Sequence, residues 1–274
     1  MAKIDVCIEP LFPDLSRAER TRKVAEVGFP AIEFWFYDLA IGRGDPRMLS
    51  AAEAAKDVAA IAKACAETGV IVNDIVVNAP DAGIGGSLVD PADRPKYLGR
   101  LKETIEVAKD LNCSKMITCT GNVRPGVSRE EQHKSVVDTL KAGADVIAVE
   151  GMTLLLEPLN THVDHEGYFL DSADEGAQIV REVGSPNVKL IFDVYHMQIM
   201  QGNVLARIEK YIDLIGHFHS AGVPGRHELS DGELNYPNIL KQIDSLGYTG
   251  YFGLEYFPAL DDTESLKRMR ELTK

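Results

Sequence analysis

The sequence predicts an α/β protein, an eight-stranded (β/α)8 or TIM barrel. Three observations point there. Short apolar runs alternate with stretches of helical length eight times along 274 residues. The runs are near-continuous in apolar character, as in a parallel sheet covered on its outer face. No linker, low-complexity tract or charge block divides the chain, so residues 1–274 are expected to form one barrel domain. A doubly wound open sheet would use the same alternation, but it would spread its strand ends along an edge instead of gathering them around one mouth.

The elements follow in order. Lys3 to Glu9 alternates and stops at Pro10, a first strand. Ser16 with Glu19 has capping-box spacing and opens a helix that Gly28 ends. Ala31 to Phe36 is the second strand, followed by a polar loop from Ile41 to Pro46 and an Ala-rich helix over 51–68 closed by Gly69. Val70 to Asn78 is the third strand. The segment from Ala79 to Asp93, with Gly83, Gly85 and Gly86, lacks the phosphate-loop lysine and the dinucleotide spacing, and is expected to be a mobile lid or a surface loop. A helix over 93–112 leads to the fourth strand, Lys115 to Thr120. Ser128 with Glu131 opens a helix to about Glu150. Four further strands begin at Thr153, Val188, Leu214 and Tyr251, with helices expected over 172–183, 203–212, 236–246 and 263–272.

Composition narrows the function. Hydrophobic residues make up 45% and charged residues 26%, which is ordinary for a globular chain. The net charge of −13 opposes nucleic-acid binding, which needs a basic footprint, and offers nothing to an anionic membrane. The N-terminus passes straight into a strand pattern without an apolar signal core, and no run is long enough to span a bilayer. Cys7, Cys65, Cys113 and Cys119 contain no C-x-x-C pair and read as reduced thiols, so a cytoplasmic location is expected.

The last four strands share one grammar: an apolar run, a metal-binding side chain, then a break. Thr153-Leu-Leu-Leu leads to Glu157, Val188-Lys-Leu-Ile-Phe to Asp193, Leu214-Ile-Gly-His-Phe to His219, and Tyr251-Phe-Gly-Leu to Glu255. In a closed parallel barrel the C-terminal strand ends surround one mouth. Three carboxylates gathered there would repel and resist ionisation, and a divalent cation removes that conflict. Three oxygen donors and one imidazole suit Mn²⁺ or Mg²⁺, with Co²⁺ or Zn²⁺ as alternatives. Taken singly, a carboxylate just past a strand is most often a helix N-cap or a solvated loop group. Four in succession at the same kind of position argue for a metal centre.

Other residues are candidates for holding substrate. His196 lies three positions after Asp193, where its imidazole would meet substrate oxygens. Arg226 follows His219 on one loop and has the planar fork to clamp a carboxylate or hydroxyl; the plainer alternative is an ion pair with Glu228 or Asp231. Glu33, Trp35 and Asn78 sit in or at the ends of strands two and three and would line the mouth, Trp35 as an apolar wall, with core packing the alternative for each. No G-x-S-x-G elbow, local Cys/His pair or dinucleotide fingerprint competes with the metal reading.

Several strings resemble a known family. Glu157-Pro-Leu-Asn160, Phe192-Asp-Val-Tyr-His-Met-Gln198, Ile215-Gly-His217, Gly232-Glu-Leu-Asn-Tyr236 and Gly253-Leu-Glu-Tyr256 resemble the hydroxypyruvate isomerases. These belong to the xylose-isomerase-like barrels, with the ketose 3-epimerases, inosose-processing enzymes and endonuclease IV. The resemblance spans nearly the whole chain and is strongest from Glu157 onward. One position departs: hydroxypyruvate isomerases often carry Gln where this chain has His219, the residue that sugar epimerases use. The resemblance therefore implies isomerase chemistry more firmly than it implies hydroxypyruvate.

The implied reaction is proton transfer on a small hydroxy-carbonyl or sugar substrate, such as hydroxypyruvate or tartronate semialdehyde, through a metal-stabilised enediolate, with Glu157 and Glu255 as proton carriers. Return of the proton to the neighbouring carbon is aldose–ketose isomerisation. Return to the same carbon from the other face is epimerisation. A non-catalytic barrel subunit is expected to lose a ligand, and this chain keeps all four; a nuclease would need more histidines and a basic surface. A homo-oligomer, dimer or tetramer, is left open, and neither nucleic acid nor membrane is expected as a partner.

Overall fold

The computed structural model describes residues 2–42 and 46–274. The barrel strands are β1 (Lys3–Cys7), β2 (Ala31–Phe34), β3 (Ile71–Val76), β4 (Lys115–Thr118), β5 (Thr153–Leu156), β6 (Val188–Asp193), β7 (Ile215–Ser220) and β8 (Tyr251–Leu254). They close in the order β1–β8–β7–β6–β5–β4–β3–β2, the cyclic succession expected of a barrel. The helices are α1 (Arg17–Val27), α2 (Ala51–Thr68), α3 (Arg94–Asp110), α4 (Arg129–Ala148), α5 (Ala173–Val183), α6 (Val194–Met200), α7 (Val204–Tyr211), α8 (Tyr236–Ser245) and α9 (Asp262–Leu272).

Local chemistry explains the helix ends. Both expected capping boxes form, at Ser16–Glu19 and Ser128–Glu131, and a third forms at Ser50–Glu53. Each such cap contributes about 1 kcal/mol. Gly28, Gly69 and Gly184 close α1, α2 and α5 in the left-handed conformation that other residues resist. Two elements were not foreseen. Leu39–Ala40 pairs antiparallel with Arg47–Met48, and Arg43, Gly44 and Asp45 of the expected polar loop lie outside the described residues. Helix α6 starts directly at the end of β6, because Asp193 caps it.

Backbone contacts group the chain into two units. The first comprises Met1–Ile75, Val107–Cys113 and His219–Lys274. In it β1 pairs in parallel with β8, aligning Val6 with Leu254, and with β2, aligning Cys7 with Glu33. Val6, Ile8, Ile32, Phe34, Phe252 and Leu254 are buried there, each contributing about 1.5–3 kcal/mol. The second comprises Val76–Glu106 and Ser114–Phe218. In it β5 pairs with β4 and with β6, aligning Leu156 with Thr118 and with Leu190.

The glycine-containing segment after β3 departs from the lid expectation. Gly85 to Val89 are buried. The amides of Leu88 and Val89 donate to the Thr120 carbonyl, and the Ser135 hydroxyl donates to that of Leu88. A Cβ on Gly85 would lie 2.6 Å from the Asn78 Cβ, so only glycine fits that approach. Within it, the tip around Asp81 and Gly83 and the residues Pro91 and Ala92 are exposed. Among the described residues, no helix is long and apolar enough to cross a membrane.

Candidate metal centre and its supporting residues

In the first unit, His219 is the penultimate residue of β7 and is 2% exposed. Its Nε2 lies 3.2 Å from Oε1 and 3.3 Å from Oε2 of Glu33, itself buried on β2. A carboxylate only accepts, so Glu33 fixes the proton on Nε2 and leaves the Nδ1 lone pair on the other side of the ring. That lone pair lies 3.7 Å from Oε2 of Glu255, the residue after β8. Gly253 makes room for the pair: a Cβ there would stand 2.9 Å from the His219 ring and 3.0 Å from the Glu33 carboxylate. An imidazole anchored by a carboxylate at one nitrogen, with its second nitrogen turned away from that anchor, is the arrangement that orients metal-ligating histidines.

Both oxygens of Glu255 accept hydrogen bonds. The Trp35 indole Nε1 donates to Oε1 at 2.8 Å, and Nη2 of Arg226 donates to Oε2 at 2.5 Å. Arg226 therefore does not take the surface pairing that its sequence neighbours offered. Glu228 instead accepts from the Ser265 hydroxyl and the Ala259 and Leu260 amides, and Asp231 pairs with Arg268. Trp35 is half-buried and acts as a donor, whereas the sequence reading made it an apolar wall. Cys7, the last residue of β1, is aligned with Glu33. Burial pushes its thiol well above the usual range, and the Glu255 and Glu33 charges push it further, so it stays protonated and is no nucleophile.

In the second unit, Glu157 follows β5 and is 7% exposed. Its backbone is fixed on both sides: its amide donates to the Thr118 carbonyl, and its carbonyl accepts from the Tyr168 hydroxyl. Asp193 ends β6, where its Oδ1 accepts the His196 amide at 3.0 Å. The N-cap role and the candidate ligand role thus fall on one side chain. Asp193 Oδ2 lies 3.6 Å from His196 Nε2. The Asn160 amide donates to His196 Nδ1 at 3.1 Å, so a neutral ring carries its proton on Nε2. The Asn160 side-chain nitrogen lies 2.7 Å from the same Nδ1 and donates to Asp164, which also accepts from the Tyr195 hydroxyl.

Asn78 is corrected from a mouth-lining residue to a scaffold residue. It is fully buried, its amide nitrogen donates to the Gly86 and Cys119 carbonyls, and its oxygen accepts from Thr118 and the Cys119 amide. Both ends are spent on the protein. Glu33 is buried and meets His219. Asn160 and Tyr168 escaped the sequence reading. Asn160 was within reach, since it stands three residues after Glu157 in a quoted string. Tyr168 carries no local signal.

Among the described residues, two groups of buried side chains have the donor set to hold a metal ion: Glu33, Asp74, His217 and His219, and Glu157, Asp193, His219 and Glu255.

Fold and residues meet in one class. The sequence matches the xylose isomerase-like TIM barrel family over residues 21–272, and the chain belongs to that family. Among relatives, it is 37% identical over 177 residues to 2-oxo-tetronate isomerase of Cupriavidus necator, covering 65% of this chain and 68% of that one. It is 29% identical over 274 residues to hydroxypyruvate isomerase of Escherichia coli K12, covering 98% of each. Among solved structures, one described as AP endonuclease, family 2, from Brucella melitensis superposes with a TM-score of 0.86 at 29% identity over 99% of both chains. The curated relatives are isomerases by name, and this chain is an isomerase.

Proposed function

We propose that the chain is a metal-dependent isomerase of small hydroxy-carbonyl acids, with hydroxypyruvate and its aldehyde isomer tartronate semialdehyde as the first substrates to test and the four-carbon 2-oxo-tetronate next. The supporting observation is that Glu157, Asp193, His219 and Glu255, which end four successive strands, make up one of the two buried donor groups. Three hard oxygen donors and one nitrogen suit Mn²⁺ or Mg²⁺, with Co²⁺ or Zn²⁺ as substitutes. A divalent cation held there supplies Lewis-acid polarisation of a carbonyl beside a hydroxyl-bearing carbon.

The protein's own groups carry the proton. A carboxylate oxygen of Glu157 or Glu255 takes the proton as the C–H bond breaks, and the resulting carboxylic acid returns it to the neighbouring carbon. The hydroxyl proton crosses to the former carbonyl oxygen, so no external oxidant or reductant enters. His196 offers its Nε2–H to a substrate oxygen, because Asn160 occupies the other ring nitrogen.

The test is a metal-stripped preparation reloaded separately with Mn²⁺, Mg²⁺, Co²⁺ or Zn²⁺ and assayed on these substrates in D₂O. Turnover with metal, with deuterium entering the carbon that gains a proton, is expected. Full activity after exhaustive chelation would overturn the reading. His219 favours one second reading, a ketose 3-epimerase. In the same assay it would appear as inversion at a single carbon of a ketose, with the hydroxy acids untouched.

A further inference from the structure

We infer that Trp35 is a positioning residue, whose indole N–H holds Oε1 of Glu255 and so reserves Oε2 as the oxygen offered to the metal. The inference rests on the reading of Glu255 as a ligand and adds which oxygen it uses and what decides that. A carboxylate with neither oxygen fixed can approach a cation through one oxygen or both. Here the two are unlike. Oε1 accepts from the indole at 2.8 Å, while Oε2 lies 3.7 Å from His219 Nδ1, the ring nitrogen opposite the one that Glu33 holds. Indole is a donor only, so it can neither ligate a metal nor take up the proton that the carboxylate would carry. Arg226 also reaches Oε2, but its long side chain can yield that oxygen, whereas the indole is a rigid ring with two side-chain torsions.

The placement follows from the end of β2 and the bend directly after it. Glu33 on β2 holds the imidazole, and Trp35, two residues on, holds the carboxylate. One short segment therefore supports two candidate ligands, one on β7 and one directly after β8. Phe34 and Phe36, which flank Trp35 in sequence, are buried and carry no polar atom beyond the backbone. An aromatic wall alone would not need a nitrogen at position 35.

Trp35 is the only tryptophan in the chain, so a single indole Nε1–H resonance reports on this bond. The experiment compares wild type, Trp35→Phe and Glu255→Gln. In metal-free ¹⁵N-labelled protein, the indole resonance should move upfield in Glu255→Gln, where the charged acceptor is gone, and in wild type it should shift again on addition of Zn²⁺ alone. Trp35→Phe should bind Mn²⁺ about 10-fold more weakly, the effect of an outer-shell change. It should show an altered Co²⁺ visible spectrum, as the carboxylate closes on the ion through both oxygens, and a kcat lowered about 10-fold with KM changed far less. An indole resonance identical in wild type and Glu255→Gln overturns the inference without recourse to any metal, and does so even if Trp35→Phe fails to fold. A Co²⁺ spectrum and kcat in Trp35→Phe equal to wild type overturn it as well. If wild type takes up no metal at all, the proposed function fails first, and this inference with it.

Discussion

Two buried imidazoles in this chain are held in opposite senses. His219 meets a carboxylate, Glu33, at Nε2, so it turns a lone pair to the other side. His196 meets the N–H of Asn160 at Nδ1, so it turns an N–H to the other side. The same side chain, equally dry in both places, presents a lone pair in one and an N–H in the other because of the group behind it. The residue type thus says little about role in such a site. The anchor decides it, and the anchors are what mutation should address.

The largest effect is expected from His219→Ala. It removes the ring that Glu33 anchors and leaves that carboxylate buried without its imidazole. Metal content, measured by atomic emission on the dialysed protein, should fall well below one ion per chain, and kcat/KM should drop by more than the 10–100-fold typical of outer-shell changes. Full metal occupancy would break the assignment of His219 as a ligand.

Glu33→Gln tests the anchor alone. The amide is nearly isosteric but can present either an oxygen or an N–H to Nε2, so it no longer dictates the tautomer. Metal affinity by calorimetry should weaken about 10–100-fold, and activity should recover at saturating metal. Activity that stays low at saturating metal would make Glu33 part of the chemistry instead.

His196→Asn addresses the other imidazole and should leave metal affinity unchanged. The loss of one donor to substrate, worth about 1–1.5 kcal/mol, should lower kcat/KM roughly 10-fold. Loss of metal from this variant would erase the contrast between the two rings.

The smallest effect concerns the loop that carries Arg226 to Glu255. Glu228 ties this loop to the segment after β8. Burial works against its charge, but the Ser265 hydroxyl and the Ala259 and Leu260 amides outweigh it, so its carboxyl lies below the ordinary glutamate range. Such a group stabilises the fold fully above its unfolded pKa, about 4.3, and that contribution is lost as pH falls through the lower, folded value. Thermal melts from pH 6 down to pH 3 should show Glu228→Gln less stable at pH 6, with the gap to wild type closing at the acid end. A constant gap would mean that the charge is not what locks the loop.

Much of this was written locally. The alternation of apolar runs and helical stretches, and the Ser–Glu boxes with their closing glycines, involve residues within a few positions of one another. Strand ends were readable to within a few residues, which was enough to put Glu157, Asp193, His219 and Glu255 at one kind of place. Helix α6 is absent from the sequence expectation because the cap and ligand readings of Asp193 compete there, whereas its Oδ1 accepts the His196 amide and caps a helix that starts at the next residue. The segment after β3 reads as a mobile lid or a surface loop because glycine signals a sharp turn and close approach as readily as freedom. What it approaches, the Asn78 side chain and the Thr120 carbonyl, is visible only once the strands are in place.

The sequence by itself determined the class of fold and the strand ends that carry acidic and imidazole side chains. Tertiary structure decided what stands behind each of those side chains. Glu33 reaches His219 across 186 residues, and Trp35 reaches Glu255 across 220. Periodicity and capping are set by short-range sterics and hydrogen bonds, which the order of residues displays directly. A hydrogen bond between residues so far apart exists only after β1 has paired with both β2 and β8, and no local pattern announces which donor will meet which acceptor.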